Sequence, residues 1–153
     1  MPKIDIAKIP ARSGSNYPAA FRALHQGRHK QRLGDAAGLT QFGVNLTRID
    51  AGAQSALRHW HEEEDEFIYM LEGELVLIDD NGETVLRAGD AAGFKAGDGN
   101  GHHLVNRSGK PATYLEIGTR AAHEHAHYPD DDLIVTRDAK GPHVLHKNGE
   151  PWA

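Results

Sequence analysis

The stretch His59-Trp60-His61-Glu62-Glu63-Glu64-Asp65-Glu66-Phe67-Ile68-Tyr69-Met70-Leu71-Glu72-Gly73 decides the reading of this chain. Two histidines stand one residue apart, acidic positions follow, and a largely apolar run ends at glycine. Residues two apart in an extended strand share a face, so His59 and His61 can aim both imidazoles at one point. Two neutral imidazoles and a carboxylate form a common donor set for Zn, Mn, Fe, Ni or Cu. Glu66 is the better-held carboxylate, because Phe67 to Leu71 is rich in aromatic and branched residues and reads as a buried strand. Glu66 lies an odd number of residues after His59, so one unbroken strand would point the two to opposite faces. Glu62 to Asp65 are therefore expected to turn, with Glu66 opening the next antiparallel strand and facing back to the histidines. Taken alone, the stretch also fits a solvated acidic run flanked by surface histidines.

A second stretch adds to it: Gly89-Asp90-Ala91-Ala92-Gly93-Phe94-Lys95-Ala96-Gly97-Asp98-Gly99-Asn100-Gly101-His102-His103-Leu104-Val105-Asn106. Together the two resemble the paired motifs of the cupin superfamily. The first motif, G-x5-H-x-H-x3,4-E-x6-G, falls on Gly52, His59, His61, Glu66 and Gly73, with one extra residue after Gly52. The second, G-x5-P-x-G-x2-H-x3-N, falls on Gly89, Gly97, His102 and Asn106. Lys95 stands where that family usually has proline, and four residues rather than two separate Gly97 from His102. The doubled His102-His103 leaves two candidates for the last ligand, and the three-residue gap to Asn106 favours His102. The resemblance implies a double-stranded β-helix, or jelly-roll, barrel holding one divalent ion on His59, His61, Glu66 and His102.

The 153 residues suit a single domain, and 39% hydrophobic with 25% charged residues places the chain among ordinary globular proteins. A net charge of −5 argues against non-specific nucleic-acid binding, which needs a basic surface. Cysteine is absent, so disulfides, thiolate nucleophiles and cysteine-ligated zinc are excluded. Met1 to Ile6 lacks the apolar core of a signal peptide and no long apolar run occurs, so no membrane contact and a cytoplasmic location are expected.

Residues 1–42 read as an irregular, short-helical extension packed on the barrel. Within it, Lys3 to Ile9 alternates like an edge strand, and Ala19 to Leu24 follows Pro18 as a short helix. The basic cluster from Gly27 to Arg32 fits a phosphate or nucleic-acid contact, but reads better as solvated surface or as a salt bridge to acidic residues elsewhere. Residues 43–119 form the barrel. Val44 to Ile49, Leu57 to His61, Glu66 to Leu71, Glu74 to Asp79, Glu83 to Arg87, His102 to Asn106 and Thr113 to Thr119 read as strands, and Asn81-Gly82 is a hairpin signal. Short strands separated by turns imply an all-β sandwich or barrel from pattern alone. Residues 120–153 read as a C-terminal arm of the same domain. It comprises a segment through His123, His125 and His127 that fits a second metal site but reads better as a mobile loop, a strand over Leu133 to Val135, and an extended segment that Val144, Leu145 and Trp152 would dock on the barrel or on a partner subunit.

Further candidates follow from position. Asn45, Arg48 and Lys95 are candidate substrate contacts, and His103, Tyr114 and Glu116 candidate acids or bases. Asp65 or Glu64 could orient the ligand imidazoles. The small stand-alone cupins that the chain resembles include proteins labelled sugar-phosphate isomerases. The resemblance implies a metalloenzyme of isomerase, lyase or dioxygenase type acting on a small polar or anionic metabolite. A metal-containing binding or sensor protein without turnover is the other reading. Pairing of cupins through edge strands implies a homodimer.

Overall fold

In a computed structural model the described residues, 2–153, form thirteen strands: β1 (Arg12–Ser13), β2 (Arg28–Arg32), β3 (Phe42–Ile49), β4 (Trp60–His61), β5 (Glu66–Glu72), β6 (Glu74–Asp79), β7 (Gly82–Arg87), β8 (Ala91–Phe94), β9 (His103–Val105), β10 (Ala112–Thr119), β11 (Glu124–His127), β12 (Ile134–Asp138) and β13 (Gly141–Leu145). The one α-helical turn among the described residues, α1, spans Leu33–Ala36. All strand pairs are antiparallel. They assemble into three sheets, ordered β1-β2-β3-β10-β5-β8, β13-β12-β11-β4 and β7-β6-β9. This is the jelly-roll arrangement expected from the sequence.

Pairing register fixes which side chains face inward. In β3, Asn45, Thr47 and Ile49 stand opposite Glu116, Tyr114 and Ala112 of β10, which in turn meet Ile68 and Met70 of β5. On the other side of β3, Arg32, Lys30 and Arg28 of β2 continue the same rows. Ile49, Ile68, Met70, Ala112 and Tyr114 pack against Leu75, Leu86 and Leu104 of the three-stranded sheet to make one core. Burying these apolar surfaces is the main driving force for closing the sheets on each other. A second core joins Leu57, Ala126, Tyr128 and Leu133 to Tyr17, Phe21, Val144 and Trp152. The C-terminal segment is thus docked on its own chain, with the Trp152 ring against Phe21 and His146.

Several local expectations are corrected. Lys3 to Ile9 is not an edge strand but contains a 3-10 turn at Ile6–Lys8, and Gln31 Nε2 donates to the carbonyls of Ile6 and Ile9. Ala19 to Leu24 gives two 3-10 turns, Ala19–Phe21 and Ala23–His25, not one helix. The basic cluster is strand β2 inside the largest sheet. The histidine-rich segment is not a loop: Glu124–His127 is β11, held between β4 and β12. The hairpin after β6 turns on Asp80-Asn81, and the positive φ of 119° falls on Gly82. Gly73, at the β5–β6 turn, has φ 79°, and a Cβ there would meet the Pro111 carbonyl oxygen at 2.7 Å. Glycine is required at that crossing on both counts.

Candidate metal centre

The four ligand candidates come from three sheets. His61 ends β4 in the four-stranded sheet, and Glu66 opens β5 in the six-stranded one. His59 pairs through its backbone with His102, at the head of β9 in the three-stranded sheet. The expected turn lies between His61 and Glu66. The two strands that it joins belong to different sheets, however, and do not form a hairpin. The turn is held by Glu124, whose carboxylate accepts the Glu62 amide at 2.9 Å and that of Glu63, and by Asp65, which accepts the Ala96 amide at 2.8 Å.

Glu66 is the hub. Its Oε1 lies 2.9 Å from His61 Nε2 and its Oε2 lies 2.7 Å from His102 Nε2. Ligand atoms of His59, His61 and Glu66 all fall within 4.8 Å of one another. His59 Nδ1 is 2.7 Å from the Leu57 carbonyl. A carbonyl can only accept, so that nitrogen carries the proton and Nε2 keeps its lone pair. Burial drives the His59 imidazole down to about 3, leaving it neutral near pH 7. Burial would raise the Glu66 carboxyl, but the hydrogen bonds with His102 and His61 outweigh it and hold the group well below the usual carboxylate range. Burial likewise acts to lower His61, and the bonds and charges of Glu66, Glu124 and Glu64 overcome it and raise the group.

Both ring nitrogens of His61 are buried without an aligned hydrogen bond, although Nε2 sits close to Glu66. Orphaned buried nitrogens are costly unless something accepts their lone pairs. A divalent cation does so, and three imidazoles with one carboxylate are a suitable donor set for Zn, Mn, Fe or Ni. The residues present fit such an ion. The Phe94 ring stacks on His102 with centroids 3.6 Å apart, and Tyr128 stacks on His59, so packing fixes two of the imidazoles.

The centre opens on a cavity of about 180 Å³ lined in addition by Tyr17, Arg28, Tyr114 and Glu116. Tyr114 is 1% exposed, and burial raises its hydroxyl well above the ordinary range, so it stays protonated and can donate. Glu116 accepts a hydrogen bond from Lys30 at 3.2 Å. A wider cavity beside it is lined by Asn45, Lys30, Glu116 and Arg137. The other candidates lie elsewhere. His103 follows His102 and faces away, its Nδ1 donating to the Ala56 carbonyl at 2.8 Å. Arg48 is exposed beside Asp50 at 3.5 Å, and Lys95 is exposed and lines neither cavity. Asp65 caps the Ala96 amide and is not beside the imidazoles. Glu64 lies near His61 but is engaged by Arg137 at 2.7 Å. The nearest carboxylate to His61 Nδ1 is instead Glu124, at 3.8 Å and buried.

Sequence reasoning gave no site role to Tyr17, Glu124 and Tyr128, and set Arg28 and Lys30 aside as surface. Arg28, Lys30 and Arg32 do carry a signal, an alternation of basic residues that puts all three on one strand face. Glu124, His125 and His127 lacked the branched residues that mark a strand. Among the described residues, Glu62, His125 and His127 form a further group of possible ligands, with Glu62 exposed and the two histidines half-buried.

A model of the cupin domain matches residues 45–118. A sugar phosphate isomerase of the cupin superfamily from Silicibacter pomeroyi has a crystal structure matching with TM-score 0.95 and 51% identity, over 99% of this chain and 97% of that one. A protein from Acidithiobacillus ferrooxidans, proposed to be a sugar phosphate isomerase, matches with TM-score 0.76 and 27% identity, over 86% and 85% of the two chains. The polyketide cyclase RemF from Streptomyces resistomycificus shares the fold, with TM-score 0.66 and 18% identity over 91% and 85%. Among curated proteins none matches. With these likenesses spanning nearly its whole length, and with both motifs converging on one buried cluster, the chain belongs to the cupin superfamily.

Proposed function

We propose that this protein is a metal-dependent enzyme acting on a small polar, anionic metabolite, and that within this class it is a sugar-phosphate isomerase. One observation carries the proposal: His59, His61, Glu66 and His102 converge at the wall of a cavity that also holds a carboxylate and a buried phenol. The name of the 51% identical relative supports the narrower reading. His59, His61, Glu66 and His102 would hold the ion, which when bound supplies a Lewis acid for a substrate oxygen.

The remaining roles belong to this chain's own groups. Glu116, oriented by Lys30, is the carboxylate placed to take a proton from the carbon beside a carbonyl and return it to the neighbouring carbon. Tyr114 hydrogen-bonds the oxygen on which charge develops, and the proton of the substrate's adjacent hydroxyl passes to that oxygen, so that carbonyl and hydroxyl exchange places. Tyr17 lines the cavity, and its ring meets edge to face at 5.8 Å with Tyr128, which backs His59. His103 has no part in this reading, because its ring lies outside the cavity. A second copy of this chain is the proposed partner. Phe67, Tyr69 and Leu71 are each 41–44% exposed along the outer face of β5, an apolar stripe suited to a dimer contact.

Elemental analysis of wild type and His59→Ala tests the ion, and a panel of aldose and ketose phosphates incubated in D2O tests the reaction. The expected result is a stoichiometric divalent metal absent from His59→Ala, with metal-dependent deuterium incorporation beside the carbonyl. Bound metal without exchange on any substrate would move the assignment to a binding protein. Iron with oxygen consumption would move it to a dioxygenase. Light scattering checks the dimer.

A further inference from the structure

Next to the metal cavity, on the N-terminal side, lies a smaller one of about 130 Å³ whose lining includes Arg12, Arg28, Lys30, Arg32, Ser13 and Ser15 and no carboxylate. Strand register explains the convergence of charge. Arg28, Lys30 and Arg32 alternate along β2 and share its inward face, and β1 brings Arg12 opposite Lys30. The chain then wraps Arg28: the Gly14 amide donates to the Arg28 carbonyl at 2.9 Å. Gly14 takes φ 84°, a turn that favours glycine.

Two of these cations are partly compensated, Lys30 by Glu116 at 3.2 Å and Arg32 by Asp35 at 3.9 Å. Arg12 and Arg28 form no ion pair among the described residues. Arg28 Nε and Ser15 Oγ are both buried without any hydrogen-bond partner. A guanidinium edge and a hydroxyl withdrawn from water are unfavourable unless an anion meets them. Arg28 also lines the metal cavity, so it forms part of the wall between the two spaces.

We infer that this cavity is a phosphate subsite, in which Arg12, Arg28 and Ser15 take the phosphoryl group of a monophosphate ester while the rest of the molecule reaches past Arg28 to the metal centre. The inference rests on the proposed action on an anionic metabolite and names the residues that read the anion. The planar fork of arginine matches phosphate oxygens, and a dianion neutralises the charge that the fold leaves unpaired.

The test is calorimetric titration of the metal-loaded full chain with inorganic phosphate, a hexose monophosphate and the unphosphorylated hexose. Wild type is compared with Arg28→Gln, Arg28→Lys, Arg12→Ala and His59→Ala. Arg12 is exposed, so Arg12→Ala probes the subsite even if Arg28→Gln fails to fold. Phosphate is expected to bind wild type and to weaken by about tenfold or more in Arg28→Gln and Arg12→Ala, with Arg28→Lys intermediate. The phosphorylated sugar should bind more tightly than the free sugar, and the difference should shrink in the same variants. Equal phosphate affinity across the arginine variants, no phosphate binding at millimolar concentration, or binding abolished by His59→Ala alone would overturn the inference. Arginine-dependent phosphate binding without turnover of any sugar phosphate would leave the subsite standing and remove only the isomerase. Metal-dependent turnover insensitive to the arginines would do the reverse.

Discussion

Replacing Glu66 by glutamine separates the structural and metal-binding contributions of the carboxylate at the hub. In the metal-free protein Glu66 accepts from His102 at 2.7 Å and lies 2.9 Å from His61 Nε2, and glutamine keeps a carboxylate-like oxygen toward only one of them. A lost hydrogen bond to a charged group costs about 1.5–3 kcal/mol, partly offset because a charge no longer has to be buried. A net loss of about 1–2 kcal/mol corresponds to a fall in Tm of roughly 2–8 °C for a chain of this size. Metal changes the comparison. An ion present at about 100 times its Kd stabilises the folded state by about 2.7 kcal/mol. If losing the anionic ligand weakens Kd about a hundredfold, the same ion concentration stabilises the variant by only about 0.4 kcal/mol. Wild type should therefore gain roughly 5–11 °C on loading and Glu66→Gln about 1 °C. Differential scanning calorimetry of chelator-treated protein, titrated with Zn, Mn, Fe and Ni in turn, measures both quantities. If the variant kept the wild-type gain in Tm with the preferred ion, Glu66 would not be a ligand, and the convergence of His61 and His102 on it would be only a buried ion pair.

Three further outcomes follow from the same geometry. Glu124→Gln keeps one acceptor for the Glu62 and Glu63 amides but removes the charge beside His61, so metal affinity should fall about 10–100-fold by competition titration; an unchanged Kd would confine Glu124 to holding the turn. In the metal-free protein Glu66 titrates lower than in the unfolded chain, so the unfolded state binds more protons as pH drops below 4.5. Its stabilising contribution is present above that pH and is lost as pH falls toward the folded-state value; urea melts should show this acid limb in wild type and a shallower one in Glu66→Gln. Gly73→Ala sets a methyl group 2.7–2.8 Å from backbone atoms of Pro111 and Ala112 at φ 79°, and should lower stability by about 2–4 kcal/mol in denaturant melts. A smaller loss would mean that the β5–β6 turn yields readily.

Legibility from sequence followed the range of the interactions. β6 spans Glu74–Asp79 as its pattern indicates, and β5 and β10 start or end within a residue of expectation, because their inward faces are apolar at period two. Glu66 stood out for a related reason: the strand that it opens is packed firmly enough to hold a carboxylate at one point. β2 and β11 were not legible. The inward face of β2 is Arg28, Lys30 and Arg32, and that of a charged strand looks like surface until its neighbours are known. β11 gains its strand conformation from pairing on both sides, with β4 and β12, not from the propensities of Glu124-His125-Ala126-His127. His102 and His103 could not be separated by type either. The backbone pairing of His102 with His59 turns one ring into the cavity, and strand alternation then turns the next one out.

The placement of the four candidate ligands on three sheets bears on how the site is kept rigid. A centre built on one hairpin would move with that hairpin. Here His61, Glu66 and His102 can come together only when the four-, six- and three-stranded sheets have all closed. The two cores that drive closure contain neighbours of the candidate ligands: Leu57 lies two residues before His59, Ile68 two after Glu66 and Leu104 two after His102. Apolar burial thus supplies the positioning that the polar groups cannot supply for themselves, since one carboxylate cannot hydrogen-bond all three imidazoles. β2, with its inward cations, pairs with β3 inside the six-stranded sheet, so the same closure carries it to the rim of the cavity. Recognition of an anion and binding of a metal would accordingly be set up by one folding event.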